Sequence, residues 1–216
     1  RRYHRHVEVD VTEQVYMILS AANSINKASS LAEMMGYEGN AAKEYFKGLN
    51  LLITNPDFKF DKRTRRPPKD EFNSMLSMGY ALLMNEVYGA IEGRGLSPYF
   101  GFIHQDREKH PTLASDLMEE WRPIMVDSVV MSLVNGNEIQ VDNFYKDEEM
   151  GGVFFDDVGM GIFINKLQKK FQSKTKYLSY VDYPVTFRSA VDLQVLQLCK
   201  AIEENSPQLY RPMRIR

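Results

Sequence analysis

Apolar residues with helical spacing run through most of this chain, and this spacing limits the fold more than any other feature of the sequence. Between Val11 and Lys27, apolar side chains recur every three or four residues, as on one face of an amphipathic helix. The longest such stretch begins at Glu71 and is ended by Gly93 and Gly95. Its apolar stripe comprises Phe72, Leu76, Tyr80, Leu83, Val87 and Ile91. We therefore predict an all-α, mainly helical fold with at most minor extended segments.

Glycine and proline predict where the other helices begin and end. Ser29 or Ser30 is expected to cap a short helix that Gly36 ends, and a second helix is expected to follow it. A helix from about Thr112 to Val134 should be kinked or broken near Pro123, because proline lacks the backbone donor of a helical hydrogen bond. Two later segments, VGMGIFINKLQKKFQ and TFRSAVDLQVLQLCKAIEE, complete the predicted helices. Short extended pieces are predicted in EIQVDNFY and GGVFF.

Composition places the chain among ordinary globular proteins. It has 216 residues, a length that is enough to bury a core. Apolar residues make up 44% and charged residues 26%, which is ordinary for a globular protein. No apolar run reaches the roughly 18 residues that a membrane span needs, and the first residues do not resemble a signal peptide. The single cysteine, Cys199, has no partner for an internal disulfide and fits a reducing cytoplasm. No strong linker divides the chain, so one domain is predicted over residues 11–216.

Positive charge is concentrated in two segments, although the formal net charge is -2. The first segment, FKFDKRTRRPPK, belongs to a stretch from Ile53 to Asp70 that is predicted to be a mobile loop without apolar anchors. Its basic residues are Lys59, Lys62, Arg63, Arg65, Arg66 and Lys69. The second segment, NKLQKKFQSKTK, contains Lys166, Lys169, Lys170, Lys174 and Lys176. Both a basic groove for phosphates and ordinary solvated faces are compatible with these patterns.

An imidazole and two carboxylates follow one another in GFIHQDREKHPTLASDLMEEWRP. His104 ends an aromatic run, and Asp116 and Glu119 are three residues apart on the next predicted helix, so they share one face. A core histidine and acids that favour a helix N-terminus would give the same pattern. Glu38 in GYEGNAA is a further candidate, or simply an acid at a helix start. A covalent tyrosine mechanism is not indicated by any spacing, and phosphate-loop, HExxH and Cys-x-x-Cys motifs are absent from the sequence.

Five blocks of the sequence resemble one known family. GYEGNAAKEYF, NSMLSMGYALLMNEV, GLSPYFGFIH, PTLASDLMEEWRP and LYRP occur in the order and at about the spacing found in the CRISPR-associated Cas1 family, the endonuclease and integrase of spacer acquisition. The resemblance extends from about Ser29 to the C-terminus. It implies the all-α catalytic domain of that family. The β-rich N-terminal domain is expected to be absent or truncated, with residues 1–10 as its remnant or as a linker.

The resemblance also implies a set of site residues. The family's metal glutamate corresponds to Glu38, its metal histidine to His104, and the two carboxylates of its acidic helix to Asp116 and Glu119. Glu119 is expected to bind the metal directly, while Asp116 either supports a ligand or binds an added metal. Such donors suit Mg²⁺ or Mn²⁺. Supporting roles at the site are expected for Asn73, Tyr80 and Glu86.

The function implied is that of a metal-dependent DNA endonuclease and integrase of the prokaryotic cytoplasm. It would join the 3′-hydroxyl ends of short DNA fragments to a CRISPR repeat by transesterification. The expected DNA contacts are Arg63, Arg65, Arg66, Arg107, Lys109, Lys169 and Lys170. The implied partners are DNA, a second copy in the intact family protein, the small Cas2 protein and a Cas4-type nuclease. Two alternatives stay open: a general metal-dependent nuclease, and a non-catalytic helical subunit that clamps DNA.

Overall fold

The mainly helical fold is confirmed by a computed structural model, which describes residues 9–104 and 110–213. Within those ranges the α-helices are α1 Thr12–Ile25, α2 Leu31–Leu51, α3 Glu71–Gly93, α4 Thr112–Glu119, α5 Ser128–Asn135, α6 Asp157–Gln172 and α7 Phe187–Glu203. Of the two predicted extended pieces, GGVFF contains a strand, whereas EIQVDNFY shares only Phe144 and Tyr145 with the other strand. Strand β1, Phe144–Asp147, pairs antiparallel with β2, Gly152–Phe155, so that Phe144 lies opposite Phe155. None of the helices in the described part of the chain is long and apolar enough to cross a membrane.

The chain divides into two compact units. The first comprises Arg1–Met75 and Met131–Met160, and the second comprises Leu76–Val130 and Gly161–Arg216. In the first unit α1 packs against α2, and the β1–β2 hairpin supplies the buried residues Val153 and Phe155. The second unit is built around Trp121, which is fully buried. The single domain predicted over residues 11–216 stays a prediction.

The predicted break at Gly36 is wrong, because α2 continues through Gly36 and Gly39 without interruption. Its start is the predicted one: the Ser30 hydroxyl accepts the backbone N–H of Glu33 at 3.2 Å. A glycine inside a helix costs only about 1 kcal/mol relative to alanine. That cost is too small to end a helix that is capped at its start and packed against α1.

The predicted break near Pro123 is confirmed. Helix α4 ends at Glu119, a π-helical turn follows over Pro123–Asp127, and α5 begins at Ser128. Proline has no N–H to continue the α-helical ladder, so the wider turn accommodates it. On the inner side of this segment, Leu113, Leu117 and Trp121 are 3%, 5% and 0% exposed, whereas Ile124 is half-buried.

The basic loop, residues 53–70, has apolar anchors, so that part of the prediction is wrong. Phe58 and Phe60 are 5% and 3% exposed. The carbonyl of Pro68 accepts the N–H of Val153 at 2.9 Å, which fastens the loop to β2. Asn73, at the start of α3, accepts the N–H of Thr64 and donates to the carbonyl of Lys62, both at 2.9 Å. Mobility of the loop in the absence of DNA stays a prediction.

Candidate active site

The segment that leads into α4 is folded around the carboxylate of Asp116. Oxygen Oδ2 accepts the N–H groups of Phe102 at 2.5 Å and Ile103 at 3.0 Å. Oxygen Oδ1 accepts the N–H of His104 at 3.1 Å and contacts Nδ1 of the same ring at 2.6 Å. An ionised carboxylate offers about four lone-pair positions. The loop therefore uses the hydrogen-bonding capacity of Asp116 in full.

The ionisation state of Asp116 determines how the His104 ring is protonated. Burial raises the pKa of the Asp116 carboxyl, but hydrogen bonds from Ile103, His104 and Phe102 outweigh burial, and the pKa lies below the ordinary value for aspartate. An ionised carboxylate can only accept hydrogen bonds, so Nδ1 of His104 is the donor. In the neutral ring the lone pair is then on Nε2, the nitrogen that can bind a metal ion. The His104 side chain is 37% exposed, whereas that of Asp116 is 8% exposed.

Gly101 permits the close approach of this loop to α4. A Cβ at this position would lie 2.8 Å from Oδ2 of Asp116 and 2.8 Å from the backbone carbon of Thr112. Its N–H donates to Oγ1 of Thr112 at 2.9 Å, and that hydroxyl donates to the carbonyl of Tyr99 at 2.6 Å. The glycine in GFIH is therefore required by space, and any side chain would separate the loop from Asp116.

Glu119 lies one turn after Asp116 and is paired with a cation. Its Oε1 contacts Nη1 of Arg122, and its side chain is 36% exposed. The guanidinium of Arg122 lies over the ring of Tyr80, 4.7 Å from the ring centre. The Tyr80 hydroxyl donates to the buried carboxylate of Asp127 at 2.6 Å. Tyr80 thus supports the Glu119–Arg122 pair from α3.

Glu120, the next residue, belongs to a hydrogen-bond network that stabilises the fold. Its carboxylate accepts the hydroxyl of Tyr210 at 2.6 Å, the side-chain amide of Gln194 at 2.8 Å and the N–H of Met213 at 2.7 Å. Burial is the largest influence on the pKa of Glu120 and raises it, against these hydrogen bonds. The network fastens the C-terminal segment to α4 and α7. It also accounts for the tyrosine of the LYRP block.

Glu38 lies inside α2, in the first unit, and is exposed. Because α2 begins at Leu31, the alternative interpretation of Glu38 as an acid at a helix start is wrong. Gly36 and Gly39 flank Glu38 in the sequence, and nothing lies within 4 Å of a Cβ placed at either glycine. Convergence of Glu38 with His104 and Glu119 stays a prediction.

The supporting residues and the DNA contacts predicted from the sequence differ in how exposed they are. Asn73 is fully buried and holds the basic loop, while Glu86 accepts Nε and Nη2 of Arg188 at 2.6 and 2.5 Å. Of the expected DNA contacts, Arg65, Arg66 and Lys169 are exposed, Lys170 is half-buried, and Arg63 donates to Oδ1 of Asn73 at 2.9 Å. Arg107 and Lys109 lie outside the described residues.

Two of the residues predicted to bind the metal, His104 and Glu119, lie in the second unit. His104 offers one imidazole nitrogen and Glu119 a carboxylate, a combination that suits Mg²⁺ or Mn²⁺. Among the described residues, the structure holds no group of three or more His, Cys, Asp or Glu side chains that could bind a metal. The metal set Glu38, His104 and Glu119 stays a prediction.

Two residues near the site were missed by the sequence reasoning. The ring of His110 lies 6.4 Å from that of His104, centre to centre, and its Nε2 is 3.0 Å from Oγ of Ser115. Arg122 is the cation paired with Glu119. The spacing of three residues between Glu119 and Arg122 is a signal for a helical ion pair. For His110 the sequence offers no comparable signal.

Comparisons with known proteins identify relatives of this chain. The sequence model of the family described as "CRISPR associated protein Cas1" matches residues 1–169. A CRISPR-associated endonuclease Cas1 from Mycobacterium tuberculosis is 38% identical over 198 residues, which cover 92% of this chain and 58% of the relative. A CRISPR-associated exonuclease Cas4/endonuclease Cas1 fusion from Geobacter sulfurreducens is 33% identical over 186 residues, covering 84% of this chain and 33% of the fusion.

The fold is shared with a solved structure described as a partial Cas6-RT-Cas1–Cas2 complex. The TM-score is 0.85 at 26% sequence identity, and the match covers 100% of this chain and 63% of that chain. By length, the chain spans little more than half of the M. tuberculosis relative.

Proposed function

The chain belongs to the CRISPR-associated Cas1 family, and on that premise we propose that it forms the catalytic part of a DNA endonuclease and integrase of CRISPR adaptation. The observation that carries the proposal is the contact between the carboxylate of Asp116 and the ring of His104. Asp116 holds Nδ1 of the ring at 2.6 Å and so directs the lone pair of Nε2 away from itself. Histidines that bind catalytic metals commonly donate their other ring nitrogen to a carboxylate in this way.

We propose different roles for the four residues of the catalytic set. His104 and Glu119 bind a Mg²⁺ or Mn²⁺ ion together with Glu38. Asp116 is a positioning residue, because its oxygens are already occupied by the loop and the imidazole. Arg122 holds the Glu119 carboxylate, and Tyr80 holds Arg122. A divalent cation bound there would supply Lewis acidity to a phosphoryl oxygen.

The reaction follows from the substrate class of the family. The 3′-hydroxyl oxygen of a short DNA fragment forms a bond to a phosphorus at the repeat boundary, and the bond from that phosphorus to the 3′-oxygen of the neighbouring nucleotide breaks. Replacing the 3′-hydroxyl with water gives simple hydrolysis at the same site. Exposed Arg65, Arg66 and Lys169 contact the phosphates of the DNA backbone, which positions the strands without reading their sequence.

The names of the similar proteins support the proposed partners. One similar structure contains Cas2, and one relative is a fusion with a Cas4 exonuclease. We therefore propose that this protein works with Cas2 and with a Cas4-type nuclease. The proposed cytoplasmic location, and the homodimer expected of the intact family protein, rest on the family resemblance alone.

A joining assay separates the proposed function from its two rivals. The protein would be incubated with Cas2, a labelled DNA fragment bearing free 3′-hydroxyls and a duplex containing the repeat, in Mg²⁺ or Mn²⁺. A labelled, branched product supports the integrase, whereas cut ends alone indicate a general nuclease. DNA binding without any product indicates a clamping subunit.

Two variants connect that activity to the site. His104→Ala should abolish joining and cutting while the helical fold and most of the DNA affinity remain. Glu13→Ala, which changes an exposed acid on α1, is the matched control and should retain activity. If His104→Ala keeps the activity of the wild type per folded molecule, the assignment of the site is wrong.

A further inference from the structure

Glu119 is the last residue of α4, so its position depends on what holds the chain that follows. The α-helical ladder does not continue there: Glu120 and Trp121 form a turn, and the π-helical turn Pro123–Asp127 comes next. Helix ends fray, and α4 has only eight residues, so its end needs support from side chains. That support comes from α7 and from the C-terminal segment, residues 207–213.

Trp121 determines how the side-chain amide of Gln194 is oriented. The indole N–H can only donate, and its nitrogen lies 2.6 Å from Oε1 of Gln194. The amide nitrogen therefore faces the other way, where it donates to Oε2 of Glu120 at 2.8 Å and to the hydroxyl of Tyr210 at 2.9 Å. Trp121 and Gln194 are both 0% exposed, so this part of the network is shielded from bulk water.

Glu120 is also held by the C-terminal segment. The hydroxyl of Tyr210 donates to Oε1 of Glu120 at 2.6 Å, and the N–H of Met213 donates to Oε2 at 2.7 Å. Loss of any of these donors would leave a half-buried charge with less compensation, so the arrangement resists displacement. The backbone that joins Glu120 to Glu119 is therefore fixed from its C-terminal side.

We propose that Tyr210 is a positioning residue for Glu119 and acts through Glu120. This inference rests on the proposed function, in which Glu119 binds the divalent cation. Groups that orient a metal ligand usually raise the affinity of the site for its metal. Arg122 supports the carboxylate of Glu119 directly. Tyr210 instead fixes the backbone that carries this carboxylate.

Fastening the C-terminal segment is the simpler role for these contacts, and it predicts a different result. If Tyr210 only fastens the segment, Tyr210→Phe loosens the fold and changes Mn²⁺ affinity by the same factor whether or not Glu119 is present. If Tyr210 positions Glu119, the loss of Mn²⁺ affinity depends on Glu119, because residues that act through one another are not additive.

A double-mutant cycle on Mn²⁺ affinity separates the two roles. The wild type, Tyr210→Phe, Glu119→Ala and the double variant are titrated with Mn²⁺, and electron paramagnetic resonance measures the free ion. We expect Tyr210→Phe to lower the affinity of the wild type about 10-fold, the lower end of the range for groups that orient a ligand. The same change should leave the affinity of Glu119→Ala unaltered. If Glu119→Ala binds too weakly to measure, Glu119→Asp takes its place.

Tyr177→Phe is the matched control. The ring of Tyr177 also packs on Trp121, with 5.6 Å between centres, but its hydroxyl lies 3.4 Å from the carbonyl oxygen of Ser173. This variant should keep the Mn²⁺ affinity of the wild type. Urea unfolding establishes that each variant is folded under the assay conditions. If Tyr210→Phe fails to fold, Glu120→Gln, which keeps the size of the side chain, enters the same cycle.

Two results would overturn this inference alone. An equal loss from Tyr210→Phe in both backgrounds would assign its hydroxyl to general stability, and an unchanged Mn²⁺ affinity in Tyr210→Phe would remove Tyr210 from the site. In both cases the proposed metal site stands if Glu119→Ala loses Mn²⁺. If the wild type binds no Mn²⁺, or if Glu119→Ala binds it as the wild type does, the proposed metal site fails and the inference fails with it.

Discussion

Asp116 receives its hydrogen bonds from its own loop, whereas Glu119, one turn later, is paired with Arg122. Asp116→Asn should therefore act through His104. An amide replaces one acceptor oxygen with a donor, so one of the N–H groups or Nδ1 loses its partner and the ring loses its fixed orientation. We expect Mn²⁺ affinity to fall roughly 10- to 100-fold. Calorimetric Mn²⁺ titration would measure this, with Asp192→Asn, which changes the partner of Arg94, as the control. Equal affinities in wild type and Asp116→Asn would refute the positioning role.

The lowered pKa of Asp116 also predicts a pH dependence of stability. A carboxyl whose folded pKa lies below its unfolded pKa contributes stability above the unfolded value, about 3.9 for aspartate. That contribution is lost as pH falls through the lower, folded pKa. The free energy of unfolding of the wild type should therefore exceed that of Asp116→Asn at pH 6, and the difference should shrink below about pH 4. Urea unfolding of both proteins from pH 3 to 7 would measure it. A difference that is constant over this range contradicts the prediction.

Single residues also show how far the sequence can be interpreted. The five blocks were enough to select His104, Asp116 and Glu119, and the structure places His104 against Asp116. The sequence did not reveal that Asp116, Glu119 and Glu120 have different roles. It depends on which backbone N–H groups a loop turns towards a carboxylate, and on burial by the distant residues Gln194 and Tyr210. Neither periodicity nor local spacing encodes those contacts.

Helices and loops were predictable where the local signal was strong. Pro123 breaks its helix because the missing N–H is a covalent property of the residue. Gly36 does not end α2, because the cost of a glycine is small and the cap at Ser30 together with packing against α1 maintains the helix. The anchoring of the basic loop by β2 joins parts of the chain that are far apart in sequence, so a local pattern could not reveal it.

The different environments of two glycines give a prediction at the level of elements. Gly101→Ala places a methyl group 2.8 Å from Oδ2 of Asp116, so the loop must move away from α4. We expect a loss of about 1–3 kcal/mol in the free energy of unfolding, as for overpacked positions, together with weaker Mn²⁺ binding. Gly36→Ala meets nothing within 4 Å and should add about 0.5–1 kcal/mol by favouring the helix. Thermal melting of both variants would measure these effects, and a stabilised Gly101→Ala protein would contradict the steric argument.

Across the whole molecule, the basic loop is expected to contribute to DNA binding through its exposed side chains. Arg65 and Arg66 are exposed, whereas Arg63 is bonded to Asn73. Arg65→Gln combined with Arg66→Gln should weaken DNA binding and flatten its dependence on salt, each lost phosphate contact removing about 0.9 from the log–log slope. Affinities measured between 50 and 300 mM salt would give that slope. Glu13→Gln on α1 serves as a control for net charge, and an unchanged slope would exclude the loop from the DNA interface.

The predicted metal site belongs to the scale of the whole molecule, because its expected donors are far apart in the sequence. Glu38 lies on α2 in the first unit, and His104 and Glu119 lie in the second. If all three bind one ion, Glu38→Ala, His104→Ala and Glu119→Ala should each lower Mn²⁺ affinity. Combining two of the changes should then cost less than the sum of the single losses, because residues that share a partner are not additive.

Electron paramagnetic resonance of bound Mn²⁺ and calorimetric titration would measure the three affinities independently of activity. Glu13→Ala removes one carboxylate from α1 and controls for the change in overall charge. It should leave the Mn²⁺ affinity unchanged. Glu119→Ala carries a second consequence, because it also releases Arg122 from its ion pair. Arg122→Gln is therefore compared with it, and should lower the affinity less, since Glu119 itself remains. If His104→Ala and Glu119→Ala lose Mn²⁺ while Glu38→Ala binds it as the wild type does, the ion belongs to the second unit alone and Glu38 is not one of its ligands.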